Sequence, residues 1–180
     1  MSKNVVMITA SLRSKSNSDA LAAAFAEGAS GAGHAVETIS LKGKTLAFCR
    51  GCFACQEIGH CVMDDDANAI MEKVAAADVV VFVTPVYYYG MAGQMKVLLD
   101  RMNALFTKDY AFRDIYLLTT CADESEEELH HVTSGIEGWV ACFEHARLAG
   151  VLHAPANTAP GDIAKQPDQL AAARALGAAL

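Results

Sequence analysis

The feature that most constrains the fold is an uninterrupted apolar run, Asp78–Pro85 (DVVVFVTP), which is rich in β-branched residues. A strand with one face in water alternates apolar and polar side chains, whereas this run does not, so both of its faces are covered. Such strands occur at the centre of parallel sheets that carry helices on either side. The run therefore predicts a buried central strand in an α/β domain.

Four further runs of strand character alternate with helical patterns along the chain. The predicted strands are, in order, Asn4–Thr9, His34–Leu41, Asp78–Pro85, Phe112–Thr120 and Gly150–Ala156. The predicted helices are Asp19–Ser30, Ala67–Ala76, Gln94–Leu105, a long acidic helix from Asp123 to about Arg147, and Gln166–Leu180. Gly135 and Gly138 are the points at which the long acidic helix can be interrupted. This alternation predicts a single domain, residues 1–180, built on a doubly wound five-stranded parallel sheet in the order 2-1-3-4-5 with helices on both faces.

Charge and hydropathy exclude two classes of partner. Lys and Arg total 14 against 21 Asp and Glu, the formal net charge is −7, and no basic cluster offsets it, which argues against a nucleic-acid backbone. No apolar run approaches the length of a membrane span, and residues 1–4 lead into a strand without a charged-then-apolar leader. We therefore expect a cytoplasmic protein that contacts neither nucleic acid nor membrane.

A polar loop lies between the first predicted strand and the first predicted helix. Residues 11–18 (SLRSKSNS) carry five hydroxyl or amide side chains and one guanidinium, and they precede the free N–H groups of a helix's first turn. Such a loop holds a phosphate through oriented donors and the helix dipole. The alternative is an ordinary N-cap formed by Ser16 or Asn17, but a cap needs only one of these side chains. We favour an anion site whose candidate residues are Ser11, Arg13, Ser16, Asn17 and Ser18.

Two more loops follow predicted strands at the same edge of the sheet. The carboxyl ends of strands in open α/β sheets are where ligands bind. The loop after the central strand has three consecutive tyrosines beside proline and glycine, and such tyrosines cannot all face one core. Its candidate residues are Pro85, Val86, Tyr87, Tyr88, Tyr89, Gly90 and Met91, and those of the loop after the fourth strand are Thr120, Cys121 and Ala122.

Four of the six cysteines crowd into one irregular segment. Cys49, Cys52, Cys55 and Cys61 lie within residues 46–66, which show no clear periodicity. In a reducing compartment this clustering favours metal, cluster or redox chemistry over a disulfide scaffold. On the residues alone, a metal site such as tetrahedral zinc and free or redox-active thiols are both open.

Two signatures resemble those of the flavodoxin-like NAD(P)H-dependent FMN reductase family, and within it the iron–sulfur flavoproteins. The first is Ser-x-Arg at residues 11–13 followed by Ser-Asn-Ser at residues 16–18. The second is a strand ending in Pro-Val-Tyr at residues 85–87, followed by Gly and by a helix with Lys96 and Asp100-Arg101. The resemblance covers essentially the whole chain and implies a flavodoxin-like FMN-binding domain.

The resemblance also implies how the three loops bind FMN. The 5′-phosphate is expected on residues 11, 13 and 16–18. Backbone N–H groups around residues 88–91 are expected at the N5 edge of the flavin, and residues 120–122 at its pyrimidine end. Because flavin N5 accepts a hydride directly, no general acid or base is implied, and we name no catalytic side chain.

The cysteine spacing resembles the motif with which iron–sulfur flavoproteins hold a [4Fe–4S] cluster. Cys49, Cys52 and Cys55 at x2 spacing can wrap one face of a cuboidal cluster, and Cys61 can close it. Related FMN reductases carry a similar segment without a cluster, so free thiols and zinc stay as alternatives.

Three functions follow from the resemblance. The first is an enzyme, an FMN-dependent oxidoreductase that takes a hydride from NAD(P)H and passes electrons to a small acceptor such as a quinone or free flavin. The second is an electron carrier whose [4Fe–4S] cluster exchanges single electrons with a redox partner protein. The third is a sensor whose cysteines respond to oxidation while FMN is structural. The family also implies a homodimer or homotetramer.

Overall fold

A computed structural model describes residues 1–125 and 129–180. The strands are β1 (Asn4–Thr9), β2 (Ala35–Ser40), β3 (Val79–Tyr87), β4 (Gly90–Met91), β5 (Asp114–Thr120) and β6 (Arg147–Ala154). The α-helices are α1 (Asn17–Gly31), α2 (Ala54–Ile58), α3 (Asp66–Ala76), α4 (Gly93–Arg101), α5 (His130–Val140) and α6 (Pro167–Ala178). A 3-10 helix, Met102–Phe106, continues α4, and another, Asp162–Lys165, precedes α6.

The long strands form one parallel sheet in the order β2-β1-β3-β5-β6, and β4 pairs with β3 as an antiparallel hairpin. β3 is central, with β1 on one side and β5 on the other. With the hairpin set aside, this is the predicted 2-1-3-4-5 order. The prediction of a flavodoxin-like, doubly wound α/β sheet is therefore confirmed.

The two faces of β3 serve two separate layers of the core. Residues 79–83 of this strand are fully buried. Val80 and Phe82 pack with residues of α3, α4 and α5, while Val79, Val81 and Val83 pack with residues of α1 and α6. Covering both faces accounts for the absence of alternation in this run.

On the second face, α1 and α6 approach so closely that only glycine fits at two positions. A Cβ on Gly28 would lie 2.0 Å from the carbonyl oxygen of Arg174, and a Cβ on Gly177 would lie 2.1 Å from that of Phe25. Both distances are far below van der Waals contact. These glycines therefore fix the packing of the C-terminal helix against the domain.

The predicted acidic helix from Asp123 to about Arg147 is wrong in extent. Asp123 and Ser125 are not helical, residues 126–128 lie outside the described residues, and α5 runs only from His130 to Val140. Its start is delayed because the Asp123 carbonyl accepts from the Ala156 N–H at 2.7 Å, which ties this segment to the end of β6. Its end is early, so Cys142, which falls within the predicted helix, is exposed in a turn.

Other boundaries differ by a few residues. The last strand begins at Arg147 rather than Gly150, because Arg147 N–H donates to the Arg113 carbonyl at 2.8 Å and its Nε donates to Asp114 at 2.7 Å. The helix predicted to continue to Leu105 ends at Arg101 and passes into the 3-10 helix. Among the described residues, no helix combines the length and apolar character needed to cross a bilayer.

Candidate functional site

A cleft of about 200 Å³ opens at the carboxyl edge of the sheet, where the loops after β1, β3 and β5 meet. Eleven of the fifteen predicted cofactor-site residues line it: Ser11, Arg13, Ser16, Asn17, Ser18, Pro85, Val86, Tyr87, Thr120, Cys121 and Ala122. Three residues that sequence reasoning missed, Asn157, Thr158 and Pro160, complete the lining. The topology thus brings together all three predicted loops and adds a fourth segment from beyond β6.

The N-terminus of α1 lies at the end of the polar loop, residues 11–18. Ser16 is its N-cap, and its Oγ accepts a hydrogen bond from Asp19 N–H at 3.1 Å. The N-cap interpretation is therefore true of Ser16, and it coexists with an anion site because other first-turn N–H groups have no intrahelical acceptor. A helix of 15 residues also directs the positive end of its dipole at this point.

Arg13 supplies the charge of the cleft. It is the only side chain with a formal charge among the lining residues that the structure describes. Its Nη1 donates to the Thr158 carbonyl at 3.0 Å, which leaves the remaining N–H groups of the guanidinium for a ligand. A cleft with one arginine and no carboxylate favours an anion.

Asn17 lines the cleft and also holds a neighbouring segment in place. Its Nδ2 donates to the carbonyls of Asn157 and Ala159 at 3.3 and 2.9 Å, and its Oδ1 accepts from Ile163 N–H at 3.2 Å. The amide side chain is thus engaged by residues 157–163 on three sides. Asn17 shapes the cleft by fastening this segment to α1.

Asn157 adds an acceptor to the cleft. Its Nδ2 donates to the carbonyls of Ala154 and Pro155 and to the side chain of Gln169, at 3.1, 2.7 and 2.8 Å. Its Oδ1 is buried and finds no donor among the described residues. A buried acceptor without a partner is costly, so a ligand hydroxyl at this place would be favourable.

A buried hydroxyl pair joins the polar loop to the loop after β5. Ser18 Oγ and Thr120 Oγ1 lie 2.6 Å apart, and both residues are buried. This contact fixes the distance between the two predicted ends of the ligand site. It also engages the Ser18 hydroxyl within the protein, while the backbone N–H of Ser18, in the first turn of α1, has no intrahelical acceptor.

The remaining four predicted residues, Tyr88, Tyr89, Gly90 and Met91, lie outside the lining of the cleft. They belong to the β3–β4 hairpin, in which Tyr88 and Tyr89 have φ values of 50° and 60°. Two consecutive left-handed residues define a type I′ turn, a conformation that strains tyrosine and is often kept for function. Tyr88 is fully exposed in this turn and directly follows Tyr87, which lines the cleft.

The four clustered cysteines line one small apolar pocket of about 20 Å³. Cys55 on α2 is buried and Cys61 is half-buried, while Cys49 and Cys52 are exposed. No three His, Cys, Asp or Glu residues in the described parts of the chain lie close enough to share a metal ion. The thiols are therefore gathered into one pocket without adopting a coordination geometry.

Several N–H groups approach the sulfur atoms of this pocket. Gly51 N–H and the Asn103 side-chain amide donate to Cys49 and Cys55, each at 3.4 Å. The guanidinium of Arg101 also lines the pocket and interacts with Cys61. Donors of this kind stabilise anionic sulfur.

Arg101 and Asp65 form an ion pair beneath the pocket, with side chains exposed by only 0% and 5%. Burial alone would raise the pKa of Asp65, but hydrogen bonds from Arg101 and from the N–H groups of Ala47 and Ala67 outweigh it and hold the pKa below its usual range. Burial likewise acts to lower the pKa of Arg101, and its contacts with Asp65 and Cys61 raise it instead. Both groups are therefore charged in the folded chain.

Comparison with known proteins decides the family. The model of the NADPH-dependent FMN reductase family matches residues 3–142. The chain belongs to this FMN reductase family.

Curated relatives in this family carry the name that the cysteine motif implies. An iron–sulfur flavoprotein from Methanosarcina thermophila is 34% identical over 107 residues, which are 59% of this chain and 56% of that protein. Another, from Methanocaldococcus jannaschii, is 36% identical over 101 residues, 56% of this chain and 52% of that protein. The chain thus spans about half the length of the curated relatives it matches.

Solved structures share the fold over nearly the whole chain. An NAD(P)H:quinone oxidoreductase from Methanothermobacter marburgensis superposes with a TM-score of 0.75 at 20% identity, covering 99% of this chain and 96% of that one. An azoreductase from Bacillus anthracis gives a TM-score of 0.75 at 16% identity, covering 100% of both chains. At these identities, the likeness shows the fold alone.

The cleft of this FMN reductase family member fits the cofactor of its family. Arg13 and the N-terminus of α1 suit a phosphate, and the buried, unpartnered Oδ1 of Asn157 suits a hydroxyl of the ribityl chain. The β3–β4 hairpin, which continues from the lining residue Tyr87, provides backbone and aromatic groups beside the cleft. The donor set of the cysteine pocket also fits a thiolate-ligated cluster, although the thiols would have to close around it.

Proposed function

We propose that this chain is an FMN-dependent oxidoreductase that receives electrons from NAD(P)H and passes them to a small acceptor such as a quinone or free flavin. The observation that carries the proposal is the cleft at the carboxyl edge of β1, β3 and β5, whose only formally charged lining side chain among the described residues is Arg13. When bound, FMN supplies the redox chemistry, because its N5 accepts a hydride and the reduced ring passes electrons on.

The residues of the cleft bind and orient the cofactor in this proposal. Arg13, the hydroxyl of Ser11 and the first-turn N–H groups of α1 hold the phosphate, while Asn157 receives a ribityl hydroxyl. Among the residues that the structure describes, the lining contains no carboxylate or histidine that could act as a general acid or base. The protein therefore contributes position and electrostatics rather than proton transfer.

The nature of the acceptor is supported by two structural neighbours, a quinone oxidoreductase and an azoreductase. A quinone is a flat conjugated ring, and the exposed ring of Tyr88 provides a surface on which such a ring can stack. We further propose a homodimer or homotetramer in the cytoplasm, where exposed thiols such as Cys49 and Cys52 stay reduced.

The test is anaerobic reduction of the bound flavin. FMN-loaded protein is mixed with NADH or NADPH, the visible flavin absorbance is followed, and a quinone is then added. We expect bleaching by at least one nucleotide and recovery on addition of quinone, with free FMN at the same concentration as the control. A bound flavin that stays oxidised with both nucleotides contradicts the proposed activity.

A second candidate function is an electron carrier with a [4Fe–4S] cluster on Cys49, Cys52, Cys55 and Cys61. It is favoured because all four thiols line one pocket that also holds N–H donors to sulfur. Iron and acid-labile sulfide are measured on protein purified without oxygen, since oxygen destroys such clusters. About four irons per chain support the carrier, and a fourfold Cys→Ser variant should lose them while retaining FMN. Flavin without iron in the wild type rejects this candidate and leaves a plain FMN reductase.

A further inference from the structure

The segment that carries the cysteines is held at both ends by one buried side chain. Arg101 on α4 donates through Nη1 to the Ala47 carbonyl at 2.8 Å, on the N-terminal side of Cys49. Through Nη2 it reaches the Met63 carbonyl at 3.4 Å, on the C-terminal side of Cys61. One guanidinium therefore bridges two points that are 16 residues apart in sequence and that enclose all four clustered cysteines.

Asp65 completes this closure. Its carboxylate receives Nη1 and Nη2 of Arg101 at 2.5 and 2.9 Å, a bidentate pair. The same carboxylate accepts from Ala47 N–H at 2.9 Å and, as the N-cap of α3, from Ala67 N–H at 3.0 Å. The N–H and the carbonyl of Ala47 are thus both bound by the ion pair. The two ends of the segment, residues 47 and 65, therefore lie next to each other.

This pair differs from the other ion pairs of the described residues. Every other pair has at least one partner whose side chain is 33% or more exposed, whereas Arg101 and Asp65 are exposed by 0% and 5%. Burying a charge pair costs desolvation that its attraction often fails to recover, so stability alone does not account for it. The buried pair is accounted for by a role in specifying the conformation of an otherwise irregular segment.

Arg101 also contributes to the pocket that the segment encloses. It lines this pocket together with the four cysteines, and its Nε is buried with no acceptor among the described residues. The lining of the pocket therefore includes a buried cation. A cation at this place favours an occupant with negative sulfur atoms over a neutral one.

We infer that Arg101 is the positioning residue of the cysteine pocket, and that with Asp65 it closes residues 47–65 into a loop that holds the four thiols together for a thiolate-bound metal group. The closure itself is a property of the metal-free chain. Only its consequence for metal uptake rests on the second candidate function proposed above.

The experiment compares the wild type with the double variant Arg101→Met/Asp65→Asn, which removes both charges without leaving one unpaired. The matched control is Arg174→Met, because Arg174 forms an exposed ion pair with Glu27. Amide hydrogen exchange of residues 47–65 is measured in the metal-free, FMN-loaded protein. Iron and sulfide per chain are then measured after anaerobic reconstitution with Fe²⁺ and sulfide.

We expect exchange across residues 47–65 to accelerate at least roughly tenfold in the double variant, with β1 and β3 unaffected. Iron uptake should fall below about half of the wild-type value, and Arg174→Met should match the wild type in both measurements. Wild-type exchange across residues 47–65 in the double variant overturns the inference, and so does full iron uptake by a variant whose segment has opened.

Two further outcomes, a wild type that takes up no iron and a double variant that does not fold, leave the role of Arg101 testable. If the wild type takes up no iron, the electron-carrier candidate fails, and the exchange comparison still decides the role of Arg101. If the double variant does not fold, Arg101→Lys replaces it, because lysine keeps the charge but lacks the planar fork through which Arg101 makes four hydrogen bonds to residues 47, 63 and 65. Faster exchange of residues 47–65 in Arg101→Lys supports the inference, and unchanged exchange overturns it.

Discussion

Replacing Asn17 by alanine asks whether this side chain acts by holding residues 157–163 or by binding the ligand directly. The amide group donates to the carbonyls of Asn157 and Ala159 and accepts from Ile163 N–H. Asn17 is 7% exposed, so its three hydrogen bonds are made largely out of contact with bulk water. The substitution therefore leaves two carbonyls and one N–H without their partners.

The expected magnitude follows from these three contacts. A buried hydrogen bond contributes about 1 kcal/mol net, and partners left unsatisfied add to the loss. The better helix propensity of alanine offsets at most about 0.7 kcal/mol. We therefore expect Asn17→Ala to lower the free energy of unfolding by about 3 kcal/mol. FMN affinity should fall as well, because Asn157 and Thr158 line the cleft.

Urea unfolding of the flavin-free protein measures the stability, and a fluorescence titration measures FMN affinity. Ser30→Ala is the matched control, since Ser30 is exposed on the same helix and its replacement should change stability by less than about 0.5 kcal/mol. If Asn17→Ala also stays within about 0.5 kcal/mol of the wild type while FMN affinity falls, the side chain serves the ligand directly and the reasoning above is refuted.

Two further predictions concern packing and pH. Gly177→Ala should destabilise the domain by about 1–3 kcal/mol in thermal unfolding, because the new Cβ meets the Phe25 carbonyl oxygen at 2.1 Å. The control is Gly138→Ala, whose Cβ meets nothing within 4 Å and which should be neutral or stabilising. Equal effects of the two substitutions would contradict the close packing of α1 and α6. Because the folded chain holds the pKa of Asp65 below its unfolded value, its pair with Arg101 contributes stability above about pH 4 that is lost as the pH falls. The free energy of unfolding of the wild type, relative to that of Arg101→Met/Asp65→Asn, should therefore fall between about pH 6 and pH 3 in urea unfolding, and a difference independent of pH would contradict this.

The sheet and three of its loops were predictable because the hydrophobic pattern of each strand agrees with its place in the sheet. Residues 79–83 are apolar at every position since both faces of β3 are covered, and this run alone implies a parallel sheet. Once the strand order is known, the carboxyl ends of neighbouring strands must meet at one edge, which brings Arg13, Tyr87 and Thr120 to a common cleft.

Two parts of the site depend on contacts between distant residues, and local pattern does not reveal them. Asn157 lies in an irregular, proline-containing connection and reaches the cleft because Asn17 holds that segment, 140 positions away. Arg101 and Asp65 are 36 positions apart, and the sequence shows only a polar position on one helix and the start of another. The length of α5 was overestimated for a related reason, since local acidic pattern favours helix while the Asp123 carbonyl is bound by Ala156.

The most direct test of the proposed cofactor site is a comparison of FMN with riboflavin, which lacks only the phosphate, in titrations of flavin-free protein. If the cleft binds FMN through Arg13 and the N-terminus of α1, one FMN should bind per chain, at least roughly 100-fold more tightly than riboflavin. Arg13→Met should reduce that ratio roughly tenfold. Equal affinities for FMN and riboflavin, or a ratio that Arg13→Met leaves unchanged, would contradict a phosphate site in this cleft.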